Sequence, residues 1–299
     1  MRLINYKMTI QYEGTRYRGW QKQPGVENTI QGKLETLLSR LLNTDIEVYG
    51  AGRTDAGVHA LGQMASFRVE EDKLRELVSS GAGKNKLIES GSSGAGKDKF
   101  SDPGPSSADN RELLRTLLPS QLKEAEDDTL FKSLNHYLPD DIAVVRLVRA
   151  SDRFHARYLA SSKWYQYRIR TNPVSDVVNR RFLWQYGEKL DIEKMKKGAE
   201  ALVGQHDFAS FCGLKLKKST VRTVSRIEIT QRGEDTIVLD YYGDGFLNHM
   251  VRLMTGELVE VGAGRLSAEA ISGILEQKRK GSADRLAPAS GLTLMEVRY

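Results

Sequence analysis

Cysteine is almost absent from this sequence, since Cys212 is the only thiol among 299 residues. A single cysteine excludes an intrachain disulfide and a zinc site built on several thiolates, and it is typical of a reducing compartment. Long apolar runs are absent as well, because no stretch reaches the roughly 18 apolar residues of a membrane span. The first ten residues, MRLINYKMTI, lack the apolar segment of a signal peptide. We therefore expect a soluble, cytoplasmic protein with no membrane partner.

Positive charge is in modest excess, with 45 Lys and Arg against 39 Asp and Glu and a net charge of +6. Basic side chains displace the counterions condensed on phosphate backbones, so this balance favours a polyanionic partner without identifying one. The histidines are dispersed and do not pair at the spacing of metal ligands. We expect neither a metal nor a cofactor; the five histidines are His59, His136, His155, His206 and His249.

Hydrophobic periodicity predicts a mixed α+β protein. The first half contains predicted strands at 3–12, 46–49, 61–69 and 142–148, with helices from Asn28 and at 129–137. Asn28 and Gln31 have the spacing of a capping box at the start of the first helix. The second half contains predicted strands at 163–170, 221–231, 236–242 and 292–299, with helices at 191–203, 246–261 and 267–277. Each half approximates β-α-β-β-α-β, the split βαβ plan of ferredoxin-like and RNA-binding domains.

A stretch rich in Ser, Gly, Lys and acids, residues 71–128, interrupts the first half and is expected to be a flexible insertion. It includes a polar helical pattern at 110–118. The segment from Gly91 to Lys97 fits the first seven positions of a phosphate-binding loop. Asp98 occupies the position of the magnesium-binding Ser or Thr, and no strong strand precedes the segment, so the sequence favours a linker.

The most informative stretch is 50–60, GAGRTDAGVHA, in which glycines frame Arg53 and Asp55 between two predicted strands. Glycine permits unusual backbone angles and close approach of a ligand. An arginine two residues away would keep the carboxylate ionised, as a nucleophile requires. On this pattern alone, an ordinary turn with a solvated arginine is the simpler interpretation, because turns are rich in Gly and Asp.

Two further stretches carry candidate residues. On the predicted strand 163–170, Tyr165 and Tyr167 share one face and could stack on a base, while the opposite face, with two arginines, could follow a phosphate backbone. Alternatively, these aromatic residues only pack in a core. Arg252 falls beside an apolar helical stripe, where it needs a carboxylate partner or a surface for its stem.

At these residues the chain resembles the TruA-type tRNA pseudouridine synthases, the tRNA pseudouridine(38–40) synthase family. The resemblance covers most of the length outside 71–128, and the GRTDAGVH block is highly specific. The matching residues, in order, are Tyr12-Glu13-Gly14-Thr15, Tyr17, Gly19-Trp20-Gln21, Gly52 to His59, Leu138-Pro139, Asp141-Ile142, Phe154-His155-Ala156-Arg157, Tyr165, Tyr167, His206-Asp207-Phe208, Phe211, Val221-Arg222-Thr223, His249-Met250-Val251-Arg252, Ala287-Pro288-Ala289 and Gly291-Leu292.

The resemblance implies a role for each matched position. Asp55 matches the catalytic nucleophile, and Arg53 matches the arginine that fills the space of the extruded nucleotide. Tyr165 matches the tyrosine that stacks on the target base, and Arg252 matches the arginine that pairs with the aspartate. We also expect His59 to bind substrate. The family isomerises uridines 38, 39 and 40 of the tRNA anticodon stem-loop as a homodimer, without metal or cofactor.

The fold that the resemblance implies has two ferredoxin-like halves, at 1–150 and 151–299, that share an extended, mostly antiparallel sheet. The active cleft would lie between the halves, with Asp55 on a loop at its floor. Lys163 and Trp164 precede Tyr165 where the family often has two basic residues, and the insertion at 71–128 is atypical of compact bacterial members. Two other classes of function remain, a catalytically silent RNA-binding protein and an ATPase that uses Lys97.

Overall fold

A computed structural model describes residues 2–79, 128–214 and 219–299. The helices are α1 (Ile30–Leu42), α2 (Glu71–Ser79), α3 (Asp128–Tyr137), α4 (Ile192–Glu200), α5 (Met250–Gly262) and α6 (Ala270–Glu276). The strands are β1 (Leu3–Tyr12), β2 (Tyr49–Gly50), β3 (His59–Glu70), β4 (Ile142–Ala150), β5 (Ser162–Arg170), β6 (Trp184–Gln185), β7 (Gly204–Asp207), β8 (Val221–Arg232), β9 (Thr236–Gly243) and β10 (Leu292–Arg298). Among these described residues, no helix is long and apolar enough to cross a membrane.

All the described strands belong to one sheet, in the order β4-β1-β3-β10-β5-β9-β8-β7. The short strand β2 pairs with β3, and β6 pairs with β5. Every described pairing is antiparallel except β3 with β10 and β5 with β6. The predicted α+β class with an extended, mostly antiparallel sheet is therefore confirmed.

The same order of strands occurs twice along this sheet. Counting the first four strands by sequence, β2 and β4 flank the pair β1 and β3 in the order 4-1-3-2. The second series, β5, β8, β9 and β10, repeats that order, and a helix follows the first and third strand of each series. This is the ferredoxin-like arrangement predicted from the element pattern. The domain boundary near residue 150 stays a prediction.

The two series meet at β3 and β10, which are parallel and paired at only two positions, His59 with Thr293 and Ala60 with Leu294. Beyond these two positions β3 pairs with β2 instead, at Ser66 and Ala65. One hydrophobic core nevertheless runs through both series, because inward-facing residues of β1, β3, β5 and β9 belong to one cluster of buried side chains. The start of β3, next to this junction, is where the glycine-framed loop ends.

Two predicted helix starts are wrong, and in both cases a left-handed residue explains the difference. Asn28 has φ of 62°, so it lies outside α1, and the side chain of Thr29 caps the helix by accepting from the Gly32 amide. The predicted capping box between Asn28 and Gln31 is therefore not formed. Helix α5 begins at Met250 rather than residue 246, because His249 has φ of 63° and interrupts helical geometry.

The predicted insertion at 71–128 begins with an ordered element. Helix α2 occupies residues 71–79 and buries Leu74 and Leu77 against the core. It packs on α1 and α3 and is therefore an amphipathic helix, which the charged residues of its exposed face made hard to recognise in the sequence. The helical pattern at 110–118 and the phosphate-loop-like segment at 91–97 lie outside the described residues.

Candidate active site

The loop of residues 51–58, between β2 and β3, is held against the segment that follows β1. The Tyr12 hydroxyl and the Thr54 Oγ1 are 2.8 Å apart, and the Trp20 amide donates to the Thr54 carbonyl over 3.0 Å. Gly14 is in such close contact that a Cβ there would be 2.0 Å from the Val58 carbonyl oxygen. Gly19, at φ of 91°, approaches the Thr54 carbonyl in the same way. This tight packing fixes the direction in which the loop presents Asp55.

Three polar side chains from the start of α5 converge on the Asp55 carboxylate. Nη1 of Arg252 donates to Oδ2 over 3.2 Å, and Nδ2 of Asn248 donates to Oδ1 over 3.2 Å. Nε2 of His249 lies 3.7 Å from Oδ2. The Asp55 side chain is 19% exposed and the Arg252 side chain 12% exposed. Hydrogen bonds therefore fix the orientation of both carboxylate oxygens, while part of the Asp55 side chain stays accessible to another molecule.

The left-handed turn at the start of α5 brings these three residues into reach. The Gly213 amide donates to the Asn248 carbonyl over 2.9 Å, and a Cβ on Gly213 would be 2.4 Å from Nδ1 of His249. A glycine is needed at residue 213 because any side chain would displace the turn. Asn248 and His249 thereby project from the turn rather than from a helical face.

Arg252 is fixed by a second contact, independent of the carboxylate. Its Nε donates to the Ala287 carbonyl over 2.8 Å, so one planar guanidinium joins the loop of Asp55 to the segment before β10. That segment lies close to α5 because Gly256 has no side chain, and a Cβ there would be 1.7 Å from the Arg285 carbonyl oxygen. An arginine suits this position, since its several donors have fixed directions.

Tyr165 is on β5, and its hydroxyl lies near Gly52, on the loop that carries Asp55. It is 7% exposed, and its ring packs edge-on against Phe246 with centroids 5.3 Å apart. Burial raises the pKa of the Tyr165 hydroxyl, and the nearby Tyr12 and Asp55 raise it further. The hydroxyl is therefore neutral at physiological pH.

The opposite face of β5 does not offer the free basic track that the sequence suggested. Arg170 is bound to Asp235 at 2.9 Å and lies 3.8 Å from Asp176. Trp164 and Gln166 both donate to the Asp240 carboxylate. The side chains named here are thus occupied within the protein, because Asp240 on β9 and Asp235 just before that strand bind them.

Positively charged side chains lie instead near the loop of residues 51–58. Arg53 is exposed and makes no hydrogen bond or ion pair with any described residue, Asp55 included. Burial lowers the pKa of Arg53, and the charge of Arg157 lowers it further. Lys163 lies against Gly52, and its pKa is lowered by burial, then by Arg157 and Arg222. Mutual repulsion of this kind is relieved when an anion binds.

His59 is placed under the loop rather than at its surface. The ring is 2% exposed, its Nδ1 accepts from the Gly14 amide over 3.0 Å, and it packs on Phe182 with centroids 4.9 Å apart. Burial lowers the pKa of His59, so the neutral form is favoured. These contacts suit a residue that supports the loop, and the prediction that His59 binds substrate stays untested.

Of the predicted site residues, the structure brings together Asp55, Tyr165 and Arg252. Arg53 lies on the exposed side of the loop of residues 51–58, and His59 is buried beneath that loop. Asn248 and His249 were missed as partners of Asp55, because a helix extending from 246 would have turned them away from one another. Among the described residues, no three His, Cys, Asp or Glu side chains converge in a way that could hold a metal ion.

Comparison with known proteins identifies relatives over nearly the whole chain. A family model described as tRNA pseudouridine synthase matches residues 8–87 and 199–299. A protein named tRNA pseudouridine synthase A 2 from a strain of Bacillus cereus is 37% identical over 296 residues, 99% of each chain. Proteins from Clostridium tetani, named tRNA pseudouridine synthase A 1, and Moorella thermoacetica, named tRNA pseudouridine synthase A, are each 36% identical, over 99% and 98% of each chain. Because these matches cover 98–99% of both chains, the relatives also have residues that correspond to 71–128. That stretch is therefore not an insertion peculiar to this chain.

Proposed function

The chain belongs to the tRNA pseudouridine synthase family, and from that membership we propose that it isomerises uridines 38, 39 and 40 of the tRNA anticodon stem-loop with Asp55 as the catalytic carboxylate. These enzymes are isomerases that act on uridine in tRNA. The observation that carries the assignment to Asp55 is its double anchoring, with Asn248 on one oxygen and Arg252 on the other, each at 3.2 Å.

The reaction moves the base without a change in oxidation state. The N1–C1′ bond of uridine breaks, the base turns, and C5 becomes bonded to C1′, while the C5 proton leaves and N1 acquires one. A carboxylate can attack C1′, remove a ribose proton to give a glycal, or add to C6 of the base. All three routes place a carboxylate oxygen against one nucleotide that has left its helical stack.

Tyr165 and Arg252 have complementary roles in this proposal. The ring of Tyr165 would lie against the extruded base, since an aromatic face stacks on any base. Its neutral hydroxyl adds no negative charge beside Asp55, which would otherwise repel the carboxylate. Arg252 would keep the attacking oxygen directed at the nucleotide, because its second contact, to the Ala287 carbonyl, prevents the guanidinium from turning away.

The cations at the rim support an RNA substrate. Arg53 is suited to fill the gap that an extruded nucleotide leaves in its helix, because it is exposed and without a carboxylate partner among the described residues. Arg157 and Arg222 both act electrostatically on Lys163, which lies against Gly52 of the same loop. Phosphate oxygens are the anions that would relieve their repulsion, so affinity for tRNA should fall as salt rises.

Assembly and location are further parts of the proposal. We propose a homodimer with one tRNA in contact with both subunits, as in the family that the sequence resembles. Val174, Val177 and Val178 are 70%, 68% and 63% exposed and offer an apolar surface for a second copy. Light scattering should then give a mass twice that of the chain. The cytoplasm is the proposed compartment, because tRNA is modified there.

Asp55→Asn tests the assignment of the catalytic residue. Release of tritium from C5-labelled uridine in tRNA should be abolished, while the dissociation constant for tRNA stays within about tenfold of wild type, because phosphate contacts dominate affinity. Asp45→Asn is the matched control, since Asp45 is exposed and makes no ion pair with a described residue. Retained release by Asp55→Asn would refute the assignment. Wild-type protein that binds tRNA but releases no tritium would indicate a silent RNA-binding protein.

A further inference from the structure

Three aromatic rings form a row on the surface, outside the group of Asp55, Asn248 and Arg252. The ring centroids of Tyr49 and His155 are 4.9 Å apart, and those of His155 and Tyr158 are 4.3 Å apart. Tyr158 is 77% exposed and Tyr49 is 41% exposed. Single exposed aromatic residues are common, but a contiguous row with an open end is typical of a binding surface.

The row is held in place by its own local structure. The Tyr49 hydroxyl donates to the Glu47 carboxylate over 2.5 Å, at the edge of β2. Nδ1 of His155 accepts from the Arg157 amide over 3.1 Å, and the His155 carbonyl accepts from the Leu159 amide over 3.2 Å. Because the turn is already formed, a ligand that stacks on Tyr158 would not have to order it.

Arg157 connects this row to the loop of Asp55. Burial lowers the pKa of His155, and the charges of Arg157 and Arg68 lower it further. The Arg157 guanidinium also lowers the pKa of Arg53 and of Lys163, so it lies within electrostatic range of both the ring row and the active-site rim. Arg157 is exposed and makes no ion pair with a described carboxylate. Positive charge thus extends from the rim of the active site to the rings.

The row is also close to the active site along the chain. Tyr49 is six residues before Asp55, and Tyr158 is seven residues before Tyr165 on β5. The two segments that supply the rings are therefore the same ones that supply the carboxylate and the buried tyrosine. Six residues span at most about 22 Å, so the Cα of Tyr49 lies within that distance of the Cα of Asp55.

We propose that Tyr49, His155 and Tyr158 form a second base-stacking site, which holds an unpaired nucleobase of the tRNA while Arg157 contacts an adjoining phosphate. The proposal rests on tRNA being the substrate. Aromatic rings interleaved with arginines are the chemistry by which proteins bind unpaired RNA, because each base offers a π-face and each nucleotide a phosphate. The site positions the stem-loop and takes no part in bond making.

Tyr158→Ala, Tyr158→Trp and Leu159→Ala test this site, with an unmodified tRNA transcript as the probe. Leu159 is the matched control, since it is the next residue, 50% exposed, and outside the ring row. Tyr158→Ala should raise the dissociation constant about 5- to 100-fold, as loss of one stacked base does. Tyr158→Trp and Leu159→Ala should stay within about twofold, because the first keeps an aromatic face and the second removes none. The single-turnover rate constant at saturating tRNA should be unchanged in all three.

Salt dependence separates stacking from charge. Tyr158→Ala should keep the wild-type slope of log affinity against log salt, whereas Arg157→Ala should reduce its magnitude by about one. Unaltered affinity in an active Tyr158→Ala enzyme would refute the stacking site and leave the proposed function intact. A change of molar mass in Tyr158→Ala, by light scattering, would instead show that the rings contact protein and would also refute it. Absence of pseudouridine formation by wild type would count against the proposed function itself.

Discussion

Arg252 donates to Asp55 over 3.2 Å through Nη1 and to the Ala287 carbonyl over 2.8 Å through Nε. The guanidinium therefore acts as a rigid link between a loop of the first strand series and a segment that precedes the last strand of the second. An ammonium group cannot reproduce this link, because it is a single point of charge without fixed donor directions.

Arg252→Lys should therefore lower kcat by about 10- to 100-fold, the loss expected for one charge-assisted hydrogen bond. The dissociation constant for tRNA should change by no more than a few fold. Arg265→Lys is the control, because Arg265 lies just after α5, is exposed, and pairs with Glu260 at 2.7 Å. Tritium release and filter binding measure the two quantities. A lysine variant with the wild-type rate would contradict the proposed need for two directed donors.

Asn248→Asp should place a second carboxylate within hydrogen-bonding distance of Oδ1 of Asp55. Two carboxylates that share a site do not both ionise easily, so one of their pKa values rises. The acidic limb of the rate profile should move to higher pH. Asn248→Ala removes only the hydrogen bond, so it should lower the rate about tenfold with no such movement. Identical pH profiles for the two variants would show that Asn248 does not direct the carboxylate.

Gly14→Ala should destabilise the protein by about 2–3 kcal/mol, because the added Cβ would lie 2.0 Å from the Val58 carbonyl oxygen and the loop would have to move. Activity should fall with it, since Asp55 is on that loop. Gly273→Ala is the control: nothing lies within 4 Å of the added Cβ, in helix α6, so stability should rise by up to about 1 kcal/mol. Urea unfolding gives both values. Equal stability of the two variants would mean that the contact is not tight.

Acid should weaken the folded state through His59. Burial lowers the pKa of His59, so the unfolded chain takes up a proton near about pH 6.5 before the folded protein does. The stability that this residue contributes is complete above about pH 6.5 and is lost as pH falls through the lower, folded-state value. His59→Gln should flatten the loss of unfolding free energy between about pH 7.5 and 5. His155→Gln controls for the other histidine with a lowered pKa. No difference between wild type and His59→Gln would contradict this account.

Much of the fold can be predicted from hydrophobic periodicity. The strand predicted at 61–69 occupies His59–Glu70, and the helix predicted at 129–137 occupies Asp128–Tyr137. The prediction failed where one residue adopts a left-handed conformation, at Asn28 and His249, because φ at a single polar residue leaves no trace in a hydrophobic pattern. Helix α2 was missed because charged residues cover its outer face.

The pairing of Asp55 with Arg252 followed from the family motif and not from spacing, since 197 positions separate the two along the chain. Asn248 carried no pattern that would distinguish it from a solvated amide. Its role depends on the turn that Gly213 permits, which is a contact between distant parts of the chain. Short-range patterns therefore predict which elements form, whereas long-range packing decides which side chains meet.

The two-residue junction between β3 and β10 has a consequence for the order in which the protein folds. Strand β10 lies between β3 and β5, so the two strand series become continuous only when residues 292–298 dock. Closing such distant segments is slow compared with forming local helices and hairpins. A nascent chain with only its first half folded would carry Asp55 without Arg252 or Tyr165. Catalytic competence should therefore appear in one late step, when Arg252 and Tyr165 reach Asp55.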